Sequence, residues 1–299
     1  MIKEITAKTL ISRVSGIDSI FGLDYGMNLY RGCQHRCIYC DSRSMCYGIE
    51  DFDGDVLVKT NALDLLRDEL PRKRRKGIIG TGSMNDPYMP LEEQTTLTRR
   101  ALEIIAAHGF GVHVVTKSDL VIRDIDVLQR IAHVSAAVSL TITAADDKLS
   151  QIIEPGAPPS SSRFRAMRRL SQAGIETRLA LMPILPFIED SWANVSAIIE
   201  EAHRCGAKVV IPWMGMSLRD RQRAYFYAQL DESFPGLRER YQAEYGQAYA
   251  CASPHSKDLY HRAHELCARL GIATQVKPLL SPTVETLGLF DQGQQVELP

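Results

Sequence analysis

The chain has 299 residues, 45% of them hydrophobic, enough to bury one large core and near the upper limit for a single domain. Its 35 basic and 36 acidic side chains leave a formal charge of -1, which excludes a global positive field drawing it to nucleic acid or anionic lipid. The opening segment MIKEITAKTLISRVSG lacks the apolar core of a secretory signal, and no run of about 18 apolar residues occurs, so a cytoplasmic protein without a membrane span is expected.

In chain order, the first expected strand is MNLY (27–30), and YRGCQHRCIYC (30–40) follows it directly. That stretch sets Cys33, Cys37 and Cys40 in the order Cys-x3-Cys-x2-Cys. Seven cysteines are an odd count in a chain too large to need disulfide staples, and in a reducing compartment such clustering favours metal binding or catalysis. Four of them, including Cys46, fall within fourteen residues.

From residue 77 onward, short β-branched runs alternate with stretches of helical period. The expected strands are GIIGTG (77–82), GVHVVT (111–116), AAVSLTI (136–142), IETRLALM (175–182) and AKVVIPW (207–213). Between them Leu97, Ala101, Ile104 and Ile105 share a helical face, as do Phe164, Met167 and Leu170, and then Trp192, Val195, Ile198, Ile199 and Ala202. With MNLY this makes about six parallel strands joined by helices, an α/β series that right-handed crossovers wind into an open or closed barrel. Residues 219–270 read as mainly helical, with a stripe of Leu259, Ala263, Leu266 and Leu270, and the last thirty residues read as irregular. The expected division is an N-terminal extension (1–24), a barrel core (25–215) and a helical C-terminal extension (216–299).

In such a series the functional loops follow the carboxyl ends of the strands. The cysteine segment, SMNDPYMPLE, KSD, EPGAPP, PILPFIED and MGMS then converge on one face. The run RKRRK (72–76) precedes a strand and falls at the opposite end, where it reads as a solvated face. EDFDGD (50–55) does not continue as a calcium loop, because Val56 and Ala62 stand where Gly and Glu are required.

Three thiolates are soft ligands, suited to zinc or to an iron-sulfur cluster. Structural zinc takes four protein ligands, and the second pair is missing here, although His35 or Cys46 is available as a fourth. A cubane 4Fe-4S cluster on three cysteines instead leaves one iron open to a substrate or cofactor.

This segment, NLYRGCQHRCIYCDSRS, resembles the cluster motif of the radical S-adenosylmethionine (radical SAM) enzymes, in the subgroup typified by spore photoproduct lyase. TGSMNDPYMPLE, VVTKS, VSLTIT and the stretch from EPGAPPSSSRFRAMRRLSQAGI to PILP are similar to later segments of that subgroup, in the same order. The resemblance implies a partial (β/α)6 TIM-like barrel of the radical SAM type with a mainly helical C-terminal extension. It implies a 4Fe-4S cluster on Cys33, Cys37 and Cys40, with S-adenosyl-L-methionine (SAM) chelated at the open iron. Reductive cleavage of SAM then gives methionine and a 5'-deoxyadenosyl radical that abstracts hydrogen from a substrate. By the same resemblance Tyr39 lies against the adenine, while Asn85, Lys117 and Ser139 are polar contacts to SAM. Without it, Asn85 reads as an Asx-turn before Pro87 and Lys117 as a solvated strand-end charge.

Two departures limit what carries over. Ser83 stands where the lyase keeps the cysteine that returns hydrogen to its product radical, and an O–H bond is too strong for that task, so spore photoproduct itself is not the expected substrate. Cys46 and Cys251 are the other candidate donors, against the plainer reading of buried cysteines as small hydrophobes. Asp41 adds a carboxylate just after the motif. Glu154 reads as a ribose contact or a loop cap, and Arg163 as within reach of the active face. The expected partners are a low-potential electron donor of the flavodoxin or ferredoxin type and an unassigned substrate; a nucleic acid would require a groove built from residues such as Arg31, His35, Arg36 and Tyr88. The alternative function is a non-catalytic metal-binding protein, with structural zinc or an electron-transfer cluster.

Overall fold

The computed structural model describes residues 1–14, 20–52 and 54–276. The chain begins with β1 (Ile2–Ile5), β2 (Ile11–Arg13), β3 (Tyr25–Met27), β4 (Tyr30–Arg31), β5 (Val56–Lys59) and α1 (Ala62–Arg72). There follow β6 (Ile78–Thr81), α2 (Glu92–Thr95), α3 (Leu97–Ala107), β7 (Gly111–Thr116), α4 (Ile125–Ile131), β8 (Ala136–Thr141), α5 (Asp147–Ile153) and α6 (Ser160–Gln172). Then come β9 (Glu176–Leu181), α7 (Trp192–Arg204), β10 (Val209–Pro212), β11 (Gly215–Ser217), α8 (Asp220–Ser233), α9 (Leu237–Tyr245), β12 (Ala250–Ala252) and α10 (Ser256–Leu270).

Six strands, β3, β6, β7, β8, β9 and β10, lie side by side in sequence order and run parallel, with β2 antiparallel at the β3 edge. Their composition follows from burial on both faces: every residue of β8 is buried, and such strands read as unbroken apolar runs. The connecting helices present one apolar stripe each. In α7, for instance, Val195, Ile198, Ile199 and Ala202 are buried, and the Ser191 hydroxyl caps the helix by accepting the Asn194 amide. Each fully buried Ile or Val there is worth roughly 1.5–3 kcal/mol over leaving it exposed. The stripe expected at the C-terminus is present in α10, where Leu259, Ala263, Leu266 and Cys267 are buried.

The first strand differs from expectation. MNLY is not one strand: Met27 ends β3 in the large sheet, and Tyr30 begins β4 in a separate sheet of order β1-β5-β4. The cause lies between them, where Lys59 holds the turn by donating its ammonium to the Asn28 carbonyl at 2.7 Å and its amide to Leu29 at 3.1 Å. Tyr30 then pairs antiparallel with Val58, which swings the chain across the carboxyl end of the barrel and delivers the cysteines there.

RKRRK lies at the opposite end, as expected. Lys73 and Lys76 there rest on the rings of Tyr25 and Phe110. The C-terminal elements close over the cysteine side: Met216, Leu218, Phe226, Tyr227, Leu230, Tyr241 and Cys251 form a second apolar core with Cys37, Ile38 and Tyr39. Met214, by contrast, packs into the main core. Of the thirty C-terminal residues expected to be irregular, 277–299 lie outside the described residues.

Candidate functional site

The cysteine loop starts with a backbone constraint. Gly32 sits at φ +83°, and a Cβ there would meet the Asp55 carbonyl of the segment entering β5 at 2.4 Å, so only glycine lets the loop leave β4 this way. Gln34 then accepts the Leu91 amide at 2.7 Å. Ile38 donates its amide to Ile153 at the end of α5, 2.9 Å away, and Gly156 donates to the His35 carbonyl at 2.9 Å. The EPGAPP loop is thereby laid directly against the cysteines.

His35 is occupied by this packing. Its Nδ1 is 3.0 Å from the Gly156 carbonyl and its Nε2 is 3.0 Å from Asp86 Oδ2. Asp86 is the buried hub of the loop after β6, accepting from Thr116 Oγ1 at 2.6 Å, the Lys117 amide at 2.7 Å and the Tyr88 amide at 2.9 Å. Burial opposes its ionisation, but His35 and these donors outweigh burial and hold the carboxyl at about 2. The Asx-turn in NDP therefore belongs to Asp86. Asn85 spends its amide on the Tyr30 carbonyl at 2.7 Å instead.

A second buried hub is Glu154. It accepts the Tyr39 hydroxyl and pairs with Arg163 at 2.5 Å, and the Lys117 ammonium stands 3.9 Å away. Lys117 also lies 5.6 Å from the centre of the Tyr39 ring. Burial by itself would lower the Lys117 pKa, yet Cys37 and Glu154 raise it above the usual lysine range. Burial likewise opposes charge on Glu154, and Arg163 and Lys117 bring it below its ordinary value. Neither the solvated lysine nor the loop-cap glutamate describes these residues.

The three thiols lie within electrostatic reach of one another. Burial pushes Cys33 up to about 12, and raises Cys37 and Cys40 as well. Backbone amides of His35 and Asp86 oppose this at Cys33, the Ser42 amide and hydroxyl oppose it at Cys40, and Lys117 opposes it at Cys37 and Cys40. Burial by itself keeps these thiols protonated, while the amides and the Lys117 cation favour the thiolates that a bound metal would require.

Ser139 lies deeper, in the middle of β8, level with Val115 of β7 and Arg178 of β9. It shares a 2.7 Å hydrogen bond with His113 Nε2. Burial and then Arg178 pull His113 down to about 3, so the imidazole is neutral at ordinary pH. Ser83 is exposed and Cys46 is exposed, while Cys251 is buried in the second apolar core. Of the residues expected to form a nucleic-acid groove, His35 and Tyr88 are buried and Arg31 is half-buried, leaving Arg36 exposed. His35 and Tyr88 are taken up by buried carboxylates, His35 by Asp86 and the Tyr88 hydroxyl, donating at 3.0 Å, by Asp124.

Sequence reasoning missed Asp86, His113, Glu189 and the segment 217–222. Glu189, after β9, is fully buried; its Oε2 accepts the Leu185 amide at 3.0 Å, and its Oε1 and the nearby Thr143 Oγ1 make no hydrogen bond among the described residues. Burial pushes this carboxyl up to about 8. Asp41 also finds its partners here: Arg219 Nε at 2.9 Å, Tyr47 OH at 3.0 Å and Ser217 Oγ at 3.2 Å.

Residues 27–215, more than half of the chain, match the sequence profile of the radical SAM superfamily. The chain belongs to that superfamily. An uncharacterized protein of Mycobacterium tuberculosis is 28% identical over 282 residues, covering 92% of this chain and 82% of the relative. An uncharacterized protein of Methanocaldococcus jannaschii is 36% identical over 171 residues, covering 56% of this chain and 63% of the relative. Among solved structures, a spore photoproduct lyase variant with bound AdoMet and dinucleoside spore photoproduct superposes with a TM-score of 0.69 over 91% of this chain and 81% of its own, at 15% identity. That likeness concerns the fold, which is the radical SAM TIM-like barrel. Membership makes this chain a radical SAM enzyme and implies a 4Fe-4S cluster and SAM as its cofactors.

The residues present fit these groups. Among the described residues no three His, Cys, Asp or Glu side chains converge as they would on a single metal ion, where tetrahedral thiolates stand about 3.8 Å apart at a Zn–S distance of about 2.3 Å. The Cys-x3-Cys-x2-Cys loop instead offers three soft sulfur donors within electrostatic reach of one another, Cys37 buried and Cys33 and Cys40 half-buried, which is the donor chemistry an iron-sulfur cluster takes. Among the described residues, no helix is long and apolar enough to cross a membrane.

Proposed function

We propose that this radical SAM enzyme binds its 4Fe-4S cluster through Cys33, Cys37 and Cys40, holds SAM at the fourth iron, and abstracts hydrogen from a substrate other than spore photoproduct. The observation that carries this reading is the grouping on one loop of three cysteines, Cys37 buried and Cys33 and Cys40 half-buried, with the Lys117 ammonium acting on Cys37 and Cys40. Cluster and SAM together supply one-electron cleavage of the sulfonium and a 5'-deoxyadenosyl radical.

The chain's own residues bind, orient and exclude water. Lys117 offers a cation to the SAM carboxylate from a position that Glu154 fixes, and Tyr39, tied by its hydroxyl to Glu154, offers a ring face to the adenine. Asn85 contributes to SAM as an acceptor, since the Tyr30 carbonyl and Asn28 Oδ1 take its two amide hydrogens. Ser139 contributes its hydroxyl from the barrel interior, in a position set by His113. The second apolar core seals the loop side against water. The core 25–215 carries this chemistry, and the residues from Met216 to Cys251 that pack on Cys37, Ile38 and Tyr39 cover it. A low-potential donor of the flavodoxin or ferredoxin type supplies the electron.

The test is anaerobic reconstitution followed by reduction with SAM present. About four irons and four sulfides per chain are expected, with 5'-deoxyadenosine and methionine as products, and Cys-to-Ala changes at 33, 37 or 40 should abolish both. One zinc per chain, or a cluster that yields no 5'-deoxyadenosine, would replace this reading with a structural metal site or an electron carrier.

A further inference from the structure

Each of the three cysteines is anchored by a different part of the chain. The Cys33 end rests on the segment entering β5 through Gly32, and on the loop before α2 through Gln34. Cys37 is followed by Ile38, which is bonded to the end of α5. Cys40 is gripped by residues 217–222, beyond the 27–215 span of the superfamily core.

The grip acts on both sides of Cys40. Gln222 is fully buried, and its Nε2 donates to the Tyr39 carbonyl at 3.0 Å and to the Ser217 carbonyl at 2.9 Å. On the other side, Arg219 meets both oxygens of Asp41 side-on, Nε to Oδ1 and Nη2 to Oδ2. The contact continues down the loop. Asp220 accepts the Ser44 hydroxyl at 2.7 Å and the Met45 amide at 3.3 Å, and the Arg221 guanidinium donates to the carbonyls of Arg43, Ile49 and Glu50.

We propose that Gln222 and Arg219 are positioning residues for the third cluster thiolate, so that the C-terminal segment sets where Cys40 sits and how firmly the cluster is held. This rests on the cluster reading above. A half-exposed ion pair alone would contribute little. Here the planar bidentate match restricts Asp41 while Gln222 fixes the peptide between Tyr39 and Cys40, so the Cys40 backbone is clamped before and after, and its sulfur direction reduces to the choice of χ1. A cubane whose third thiolate is loose exposes an iron to water and chelator.

The experiment uses the full chain carrying Gln222→Glu or Arg219→Met. The first keeps the Oε1 that accepts the Arg219 amide at 2.8 Å and removes the Nε2 donor. In iron-free protein, iodoacetamide labelling of Cys40, read by peptide mass spectrometry, should rise roughly fivefold relative to Cys33 and Cys37 of the same chain, the factor matching about 1 kcal/mol for loss of the bond to the Tyr39 carbonyl, the one of the two Nε2 bonds that holds the Cys40 peptide. In iron-loaded protein, release of iron to a chelator should accelerate by a similar factor, and the electron paramagnetic resonance signal of the reduced cluster should shift. Unchanged Cys40 labelling, or an equal rise at all three cysteines, overturns the proposal. Wild-type protein lacking four irons and sulfides would sink the cluster reading instead, and the labelling ratio still decides the positioning.

Discussion

Glu154 Oε2 lies 2.5 Å from Arg163 Nη1, and neither side chain exposes more than 1% of its surface. Arg163 also donates to the carbonyls of Thr141 at 2.9 Å and Pro158 at 2.8 Å, so one guanidinium ties the end of β8 to the loop that covers the cysteines. Removing one partner of such a pair strands a charge away from water, which costs about 3–5 kcal/mol. Glu154→Gln and Arg163→Met should each lower the unfolding free energy by that order in denaturant titration. The double change should cost less than the sum, and the shortfall is the coupling of the pair. An additive result would mean that the two charges are not paired in solution.

At Gly156 the EPGAPP loop lies against the backbone of the cysteine loop. A Cβ at this position would meet the Gln34 carbonyl oxygen at 2.1 Å and the His35 Cα at 2.9 Å, and both are backbone atoms that cannot swing aside. Gly156→Ala should therefore push the loops apart, break the amide bond to His35, and destabilise by about 1–3 kcal/mol, the usual cost of overpacking. Iron retained after reconstitution should fall with it. Wild-type iron content in this variant would show that the contact does not position the cysteines.

The barrel was legible in the sequence because β6 to β10 are short β-branched runs, buried on both faces and set between helices with clear 3.6-residue periods. The break at Asn28 was not, since apolar Met27 and Leu29 read as continuous while the Lys59 contacts that split them come from 30 or more residues away. The cysteines announced themselves by spacing. Asp86 hid beside Asn85, because what makes it a hub is His35, Thr116 and Lys117, each reached only through folding. Gln222 and Arg219 left no periodic trace for the same reason: their partners, Tyr39 and Asp41, are 183 and 178 residues away.

Lys117 places a positive charge beside the proposed cluster, raised above its usual range despite burial. A nearby cation favours the reduced, more negative state of the cluster, because potential follows local charge and burial. Lys117→Met should thus lower the reduction midpoint of the reconstituted protein by some tens of millivolts, measured by dye-mediated titration. Binding of SAM should weaken in the same variant. A midpoint that does not move would place the ammonium too far from the cluster to act on it.

Glu189 carries a pH dependence with a defined sign. Burial raises its folded-state pKa to about 8, above the ordinary 4.5, so between those values the folded chain binds a proton that the unfolded chain has already released. This term leaves stability intact below about pH 4.5 and withdraws it progressively as pH rises towards 8. Glu189→Gln keeps an oxygen for the Leu185 amide and supplies an N–H towards Thr143 Oγ1, which makes no hydrogen bond among the described residues, without any titration. The variant should match the wild type near pH 5 and exceed it in unfolding free energy at pH 8, with a shallower slope between. Parallel stability profiles for the two proteins would mean that water or a bound ligand reaches the Glu189 carboxyl and keeps its pKa ordinary, which would open the second apolar core to the barrel mouth.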